Sequence, residues 1–362
     1  MYAYFGYPIL LFVLSLFIRN PVKKGEITPF VSFIITAYNE EKHISGKIEN
    51  TLAQEYPAGK LEILVASDCS VDRTDEIVKS YVSKGVRLVR AKERKGKENA
   101  QKLGVDTASG EIVVFSDVAT ILSPSGVRNI VKSFNDPKVG CVSSVDKFVD
   151  KEGKTSGEGA YVKYEMVLRA LESRVNTLVG LSGSFFAARK DLCSPWATDL
   201  QSDFNTLINS VKKGYRGVCD QDAVGYYSDL TENKQEFRRK VRTIVRGMRV
   251  FMRSIPLLNI FRYGLFSWQF CSHKLCRWIV PFAMMAIFVS NSIAAKGSRF
   301  YLFFFVLQCL FYVIAGIGVC TQSKRLLLKV PSFFVIVNVS ILVAWCKYIK
   351  GDTFIKWEPS AR

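Results

Sequence analysis

Polar groups able to do chemistry gather directly behind short apolar runs. Tyr38-Asn39-Glu40-Glu41 follows residues 30–36 (FVSFIIT), Asp68-Cys69-Ser70-Val71-Asp72-Arg73-Thr74 follows residues 61–67 (LEILVAS), and Asp117 follows residues 111–116 (EIVVFS). Asp and Asn also turn loops and cap helices, and Asp72 is placed to do so for a helix opening at Thr74. Carboxylates behind three such strands have a further use. If the strands share one sheet, these groups converge on one edge, where open α/β sheets bind their ligands. A second concentration is cationic: Arg238, Arg239, Lys240, Arg242, Arg246, Arg249 and Arg253 put seven basic residues within 16. Read as a helix, Arg239, Arg242, Arg246, Arg249 and Arg253 form one stripe and Val241, Val245, Met248 and Met252 another. That pattern suits a basic amphipathic helix at an anionic lipid surface. No G-x-G-x-x-G follows any strand, and Lys95-Gly96-Lys97 lacks the upstream Gly of a phosphate-binding loop, which argues against those two nucleotide folds.

The elements that must position these groups alternate. Strands are predicted at residues 30–36, 61–67, 86–89 and 111–116, with helices at about 41–54, 74–84 and 97–107. Strand and helix in turn at this spacing imply right-handed crossovers and an α/β domain with a mainly parallel sheet flanked by helices.

The chain has 362 residues, a formal charge of +18 and 49% hydrophobic residues. That hydrophobicity excludes a disordered chain. Two His and nine Cys without any C-x-x-C pair argue against a zinc scaffold. The apolar residues are unevenly spread. Residues 2–18 carry no charge and are followed by Arg19, Lys23 and Lys24, the reverse of a cleaved secretory signal, so an N-terminal anchor over 1–19 is expected. Residues 279–295, 300–322 and 330–346 are each near the ~20 residues needed to cross a bilayer. The expected organisation is an anchor (1–19), a cytosolic catalytic domain (20–235), basic amphipathic and interfacial helices (236–274), about three transmembrane or membrane-embedded helices (275–348) and a tail (349–362). Residues 256–268 suit an interfacial helix, with aromatics at headgroup depth. Arg19, Lys23, Lys24, Lys324, Arg325 and Lys329 place the central domain on the cytoplasmic side of a cell (inner) membrane, while Lys347, Lys350, Lys356 and Arg362 leave the side of the C-terminus open.

Phe33-Ile34-Ile35-Thr36-Ala37-Tyr38-Asn39-Glu40-Glu41, Asp68 to Thr74, and Ser116-Asp117-Val118-Ala119-Thr120 together resemble the membrane-associated family 2 glycosyltransferases of the cellulose-synthase-like group, which have a GT-A fold. The resemblance continues through Gly183-Ser184-Phe185-Phe186-Ala187-Ala188-Arg189, Asp203, the run from Arg238 and the tail Trp357-Glu358-Pro359-Ser360-Ala361-Arg362. It implies that Thr36, Tyr38, Glu40 and Asp68 line a uridine pocket, with Tyr38 against the base and Asp68 accepting from the ring N–H. It implies that Lys97 meets the nucleotide, and a lysine at a helix start suits an anion. Asp117 opens the family's D-x-D motif and would help hold a divalent cation, Mg or Mn, on the diphosphate. Ala119 replaces the second acid, which puts that cofactor in doubt. Asp203 matches the acidic general base of an inverting transfer, and Gly183-Ser184 the acceptor-side loop. The family's Q-x-x-R-W reads Arg239, Arg242 and Thr243 here; Arg239 and Arg242 would meet the diphosphate, and loss of the Trp speaks against processive extrusion.

The function so implied is inverting transfer of a sugar from a nucleotide sugar, UDP-linked, to a lipid-linked or saccharide acceptor in polysaccharide or glycolipid synthesis. Membrane phospholipid and other polysaccharide-assembly proteins are the further expected partners. The alternative is a catalytically impaired partner subunit, favoured by Ala119. Nucleic-acid binding has only the net charge in its favour and is not expected, because the basic stripe lies beside apolar residues and membrane-length runs.

Overall fold

A computed structural model describes residues 1–149, 160–228, 233–321 and 325–354. The tail motif at 357–362 and the topology marker Lys324 lie outside the described residues. The strands are β1 (Val31–Ala37), β2 (Leu61–Ser67), β3 (Val86–Arg90), β4 (Ile112–Asp117), β5 (Ile121–Leu122), β6 (Val139–Val149), β7 (Phe185–Arg189) and β8 (Arg216–Ser228). The helices are α1 (Tyr7–Phe17), which packs on α6, and then α2 (Ile44–Leu52), α3 (Thr74–Ser80), α4 (Lys97–Thr107), α5 (Gly126–Lys132), α6 (Ala160–Val175) and α7 (Ser202–Lys212) around the sheet. Then come α8 (Asn233–Met252), α9 (Ile260–Tyr263), α10 (Leu265–Phe270), α11 (Cys276–Ala294), α12 (Arg299–Thr321) and α13 (Leu326–Ile349).

The strands form one eight-stranded sheet in the order β3-β2-β1-β4-β7-β6-β8-β5. β1 is central to its parallel half and buried at every position, as its continuous apolar run requires. Register fixes the ligand edge. Ala37 pairs with Ser67 and Thr36 with Asp117, so the segments starting at Tyr38, Asp68 and Asp117 leave the sheet side by side. The other half is mixed: β7 runs antiparallel to β4 and β6, while β6 and β8 are parallel. Apolar clusters cover both sheet faces, one around Phe33, Val65 and Val114, the other around Ile34, Phe115 and Phe186. Asp72 caps as expected, its Oδ1 accepting from the Thr74 N–H at 3.0 Å.

Three helical segments are long and apolar enough to cross a membrane: Leu265–Ala294, Arg299–Thr321 and Leu326–Ile349. The first runs from α10 through a π-helical turn (Cys271–Leu275) into α11. The boundary expected near residue 274 therefore falls inside a continuous helix. Residues 2–17 form a shorter apolar helix.

The packing of α8 departs from the surface-helix expectation. Its apolar stripe is covered by protein: Val241, Val245, Met248 and Phe251 are buried with Phe266, Phe270, Trp278, Ile341 and Ala344. Four such side chains represent roughly 6–12 kcal/mol of apolar burial before entropy is subtracted. That is ample reason for α8 to dock on the C-terminal helices rather than offer this stripe to lipid. The α9 segment is different, with Phe261 99% exposed and Ile260 55% exposed, while Leu257 and Phe266 on either side of it are buried.

Candidate functional site

A cavity of about 1010 Å³ opens at the ligand edge of the sheet and extends to the membrane-length helices. Glu40, Lys97, Asp117, Gly183, Ser184, Asp203, Arg239 and Arg242 all line it. Sequence separation hides this convergence, and a short series of contacts makes it. Lys97 opens α4, and its Nζ lies 2.5 Å from Asp117 Oδ1 and 3.0 Å from the Gly183 carbonyl oxygen. The Asp117 N–H donates to the Ser184 carbonyl at 3.0 Å, which fixes the end of β4 against the 183–184 loop. A Cβ at Gly183 would sit 3.1 Å from Asp203 Oδ2, so any side chain there would press on the carboxylate. Asp203 stands in the first turn of α7, 7% exposed, and accepts from Gln201 Nε2 at 3.1 Å.

The expected uridine-pocket residues lie at the same edge, but only Glu40 is a cavity wall. Asp68 is fully buried and accepts from the Lys95 N–H at 3.0 Å and the Gly96 N–H at 2.9 Å. It therefore shapes the turn that delivers Lys97, a turn in which Gly96 has φ 101°, suited to glycine. The Arg94 guanidinium covers one face of Tyr38 at 3.9 Å. Thr36 Oγ1 is buried with no hydrogen-bond partner among the described residues. Glu40 Oε2 is 3.2 Å from His43 Nδ1.

Three groups that sequence reasoning passed over matter here. Lys47 is fully buried on the inner face of α2, and its Nζ donates to Ser116 Oγ at 2.7 Å and to the Thr120 carbonyl at 2.6 Å. It ties both ends of the Asp117-Val118-Ala119 segment. Burial pushes its pKa down to about 7, with Asp117 pulling partly the other way. The available signal was a charge within an otherwise apolar-facing series, Ile44, Lys47, Ile48 and Thr51. Arg246 reaches across to Glu98, the residue after Lys97, and Glu98 is 3% exposed. Three arginines of the expected lipid-facing stripe, Arg239, Arg242 and Arg246, thus face the cavity, and Arg253 pairs with Asp199 at 2.5 Å.

The third group is a buried ionic network at the membrane end. Glu165 on α6 sits 2.5 Å from Arg277 and 3.6 Å from His273 Nε2. Burial alone would raise the Glu165 pKa, but Arg277 and His273 hold it well below the ordinary carboxylate range. Glu172 accepts from the Tyr7 hydroxyl at 2.7 Å and lies 2.5 Å from His273 Nδ1. Arg169 faces Asp146 at 3.8 Å, and Asp146 accepts from Ser182 Oγ at 2.6 Å. Burial, then Asp146, pushes the neighbouring Tyr227 hydroxyl upward.

The donor set does not fit a protein-built divalent-cation site. Asp117 is the one acid of the D-x-A segment, Lys97 occupies one of its oxygens, and Ala119 offers no ligand. Among the described residues no group of three or more His, Cys, Asp or Glu side chains could hold a metal.

Comparison with known proteins bears on the family and the fold. Residues 32–194 match the model of glycosyl transferase family 2. Poly-beta-1,6-N-acetyl-D-glucosamine synthase of Staphylococcus aureus is 28% identical over 196 residues, 51% of this chain and 47% of that protein. The Staphylococcus epidermidis enzyme of the same name is 27% identical over 179 residues, 47% of this chain and 42% of that one. The chain thus spans a little under half the length of these curated relatives. The mannosyltransferase PcManGT from Pyrobaculum calidifontis, solved in complex with GDP-Man and Mn2+, superposes with a TM-score of 0.73 at 24% identity, covering 97% of both chains. S. aureus TarS superposes with a TM-score of 0.50 at 17% identity over 90% of this chain and 54% of that one. Residues 32–194 thus resemble a family 2 glycosyltransferase domain, carried on a GT-A fold and followed by three helices long and apolar enough to cross a membrane.

Proposed function

We propose that the protein is an inverting hexosyltransferase, transferring a sugar from a UDP-linked donor to a lipid-linked or saccharide acceptor at the cytoplasmic face of a cell membrane. The observation that carries this reading is the contact series Asp117–Lys97–Gly183–Asp203 within one cavity. It sets a cation and a carboxylate against the two sides of a loop that carries no side chain at its closest point.

Lys97, Arg239 and Arg242 stabilise the departing diphosphate through charge. Asp203 takes the proton of the acceptor hydroxyl as its oxygen attacks the anomeric carbon, and the nucleotide leaves from the opposite face. Asp117 and Lys47 hold the donor loop, while Thr36, Tyr38, Glu40 and Asp68 form or support the base pocket. Gly183 and Ser184 give the acceptor room beside Asp203. Lys97 already supplies positive charge where the D-x-D acids of the family implied a cation, so no step here is routed through a metal.

The test is nucleotide release by the purified protein in nanodiscs, with UDP-, GDP- and dTDP-sugars and membrane-lipid extract. One donor should support release, and Asp203→Asn should lower it by roughly 10²–10⁴-fold while leaving nucleotide affinity intact. Binding without turnover under any donor would instead support the impaired-partner reading, which Ala119 favours. Absence of nucleotide binding would overturn both.

A further inference from the structure

The membrane end of the cavity carries charge that the donor chemistry does not use. Ten Lys or Arg side chains line the whole cavity against five carboxylates. A nucleotide diphosphate at the sheet edge accounts for the cations near Lys97, but others lie at the opposite end. There, most are already matched: Arg277 with Glu165, Arg169 with Asp146. Lys274 is not. Among the described residues it has no carboxylate at ion-pair distance and no hydrogen bond, and its Nζ lies 4.9 Å over the ring of Phe204. Phe204 follows Asp203 directly, and Gly180 leaves the ammonium its space, a Cβ there coming 3.5 Å from Nζ.

Lys274 also belongs to a helix that is long and apolar enough to cross a membrane. An ionisable side chain in such a segment is costly unless it faces a partner or a polar cavity. This one faces a cavity whose nearby walls include Tyr4, Trp278, Val337 and Ile341, from three membrane-associated helices. Apolar side chains beside one ammonium that no carboxylate touches, with Glu165 and Glu172 acting on it only from beyond ion-pair distance, form a site for an amphiphile with an anionic group.

We propose that Lys274 recognises an oxyanion on the acceptor, either the phosphate that links a saccharide to its lipid or the carboxylate of an acidic sugar. This rests on the glycosyltransferase reading of the same cavity and adds the charge of the acceptor to it. The group bound at Lys274 sits beside Asp203, so the saccharide's hydroxyl is delivered to the base from the membrane side while the nucleotide enters from the sheet edge.

The experiment compares three acceptors in nanodiscs: a polyprenyl-diphosphate-linked sugar, the neutral dodecyl glycoside of that sugar, and a soluble uronate-bearing disaccharide. In Lys274→Met the KM for the anionic acceptors should rise roughly 10- to 100-fold, with kcat, nucleotide Kd and the KM for the neutral glycoside unchanged, and Lys274→Arg should restore it. A rise confined to the lipid diphosphate names phosphate as the oxyanion; one confined to the uronate names the sugar acid. Equal loss with the neutral glycoside, no loss with either anion, or wild-type preference for the neutral acceptor overturns the inference while leaving transferase activity standing. Failure of the wild type to bind any nucleotide overturns the underlying reading as well. Should Lys274→Met not fold, competition on the wild type decides: decyl phosphate should inhibit competitively against acceptor and decanol should not, and equal potency overturns the proposal.

Discussion

Replacing Lys47 by Met separates the cost of a buried ammonium from its use. The residue is fully buried and its pKa stands at about 7 against 10.5 for an ordinary lysine. Below pH 7 both folded and unfolded chains carry the proton, and the folded state bears the whole penalty, on the order of 5 kcal/mol. Between about pH 7 and 10.5 the unfolded chain binds more protons than the folded one, so wild-type stability rises with pH across that window. Against this, Met removes both donors, leaving Ser116 Oγ and the Thr120 carbonyl without them at a cost of about 1–3 kcal/mol. The variant should therefore be more stable than wild type at pH 7, by about 1–3 kcal/mol, and close to it at pH 9, where the penalty has fallen by about 2 kcal/mol. Thermal melts of both proteins in nanodiscs from pH 6 to 9 read the difference. Nucleotide affinity should move the other way, weaker by roughly tenfold, because the segment bearing Asp117 loses its tether. A variant less stable than wild type, with a difference flat in pH, would refute the reasoning.

Gly183→Val should lower kcat by roughly 10- to 100-fold with nucleotide Kd unchanged, since its Cβ begins 3.1 Å from Asp203 Oδ2; full turnover would show that Asp203 need not hold its place. Arg246→Met strands Glu98, which is 3% exposed, and should cost about 3–5 kcal/mol, whereas the double change with Glu98→Gln should recover much of it, as melting of the three variants would show. Nucleotide affinity should change less than about threefold on adding EDTA and fall at least tenfold or so in Lys97→Met, each being worth a charge-assisted contact or its absence. A large EDTA effect beside a small Lys97 effect would return the diphosphate to a metal.

The parallel half of the domain was legible because its signals are local. Residues 61–67 and 97–107 are predicted as strand and helix and observed with those bounds, and the three polar strand ends do share one edge. Its antiparallel half was not, since β6 and β8 are long strands that bury polar residues such as Ser143, Ser144 and Asp220 among apolar ones, and their pairing depends on partners far along the chain. The site residues behind β1, β2 and β4 could be named from pattern and resemblance, but not their division of labour. Asp68 spends its oxygens on the 95–96 turn, a fact of backbone geometry that no motif encodes. The basic stripe illustrates the same limit. Periodicity shows that five arginines share a face but not what that face meets. Arg246 meets a carboxylate 148 positions away.

The ionic network at the membrane end explains how such a cavity can keep its shape. Buried charges are tolerated only when matched, and removing one partner of a buried pair is far more damaging than replacing both. Here Glu165 is held by Arg277 and His273, and Glu172 by His273 and the Tyr7 hydroxyl. One histidine therefore bridges two acids of α6 from the helix that continues into the bundle, while the short N-terminal helix closes the third side. Sliding that helix by one residue along α6 would break several of these contacts together, a far steeper penalty than apolar packing alone imposes. The long helix that carries Lys274 is thereby locked to the domain that carries Asp203. If the acceptor comes from the bilayer as proposed, this coupling serves the transfer, because the two reacting groups must meet within an ångström or so of their productive geometry.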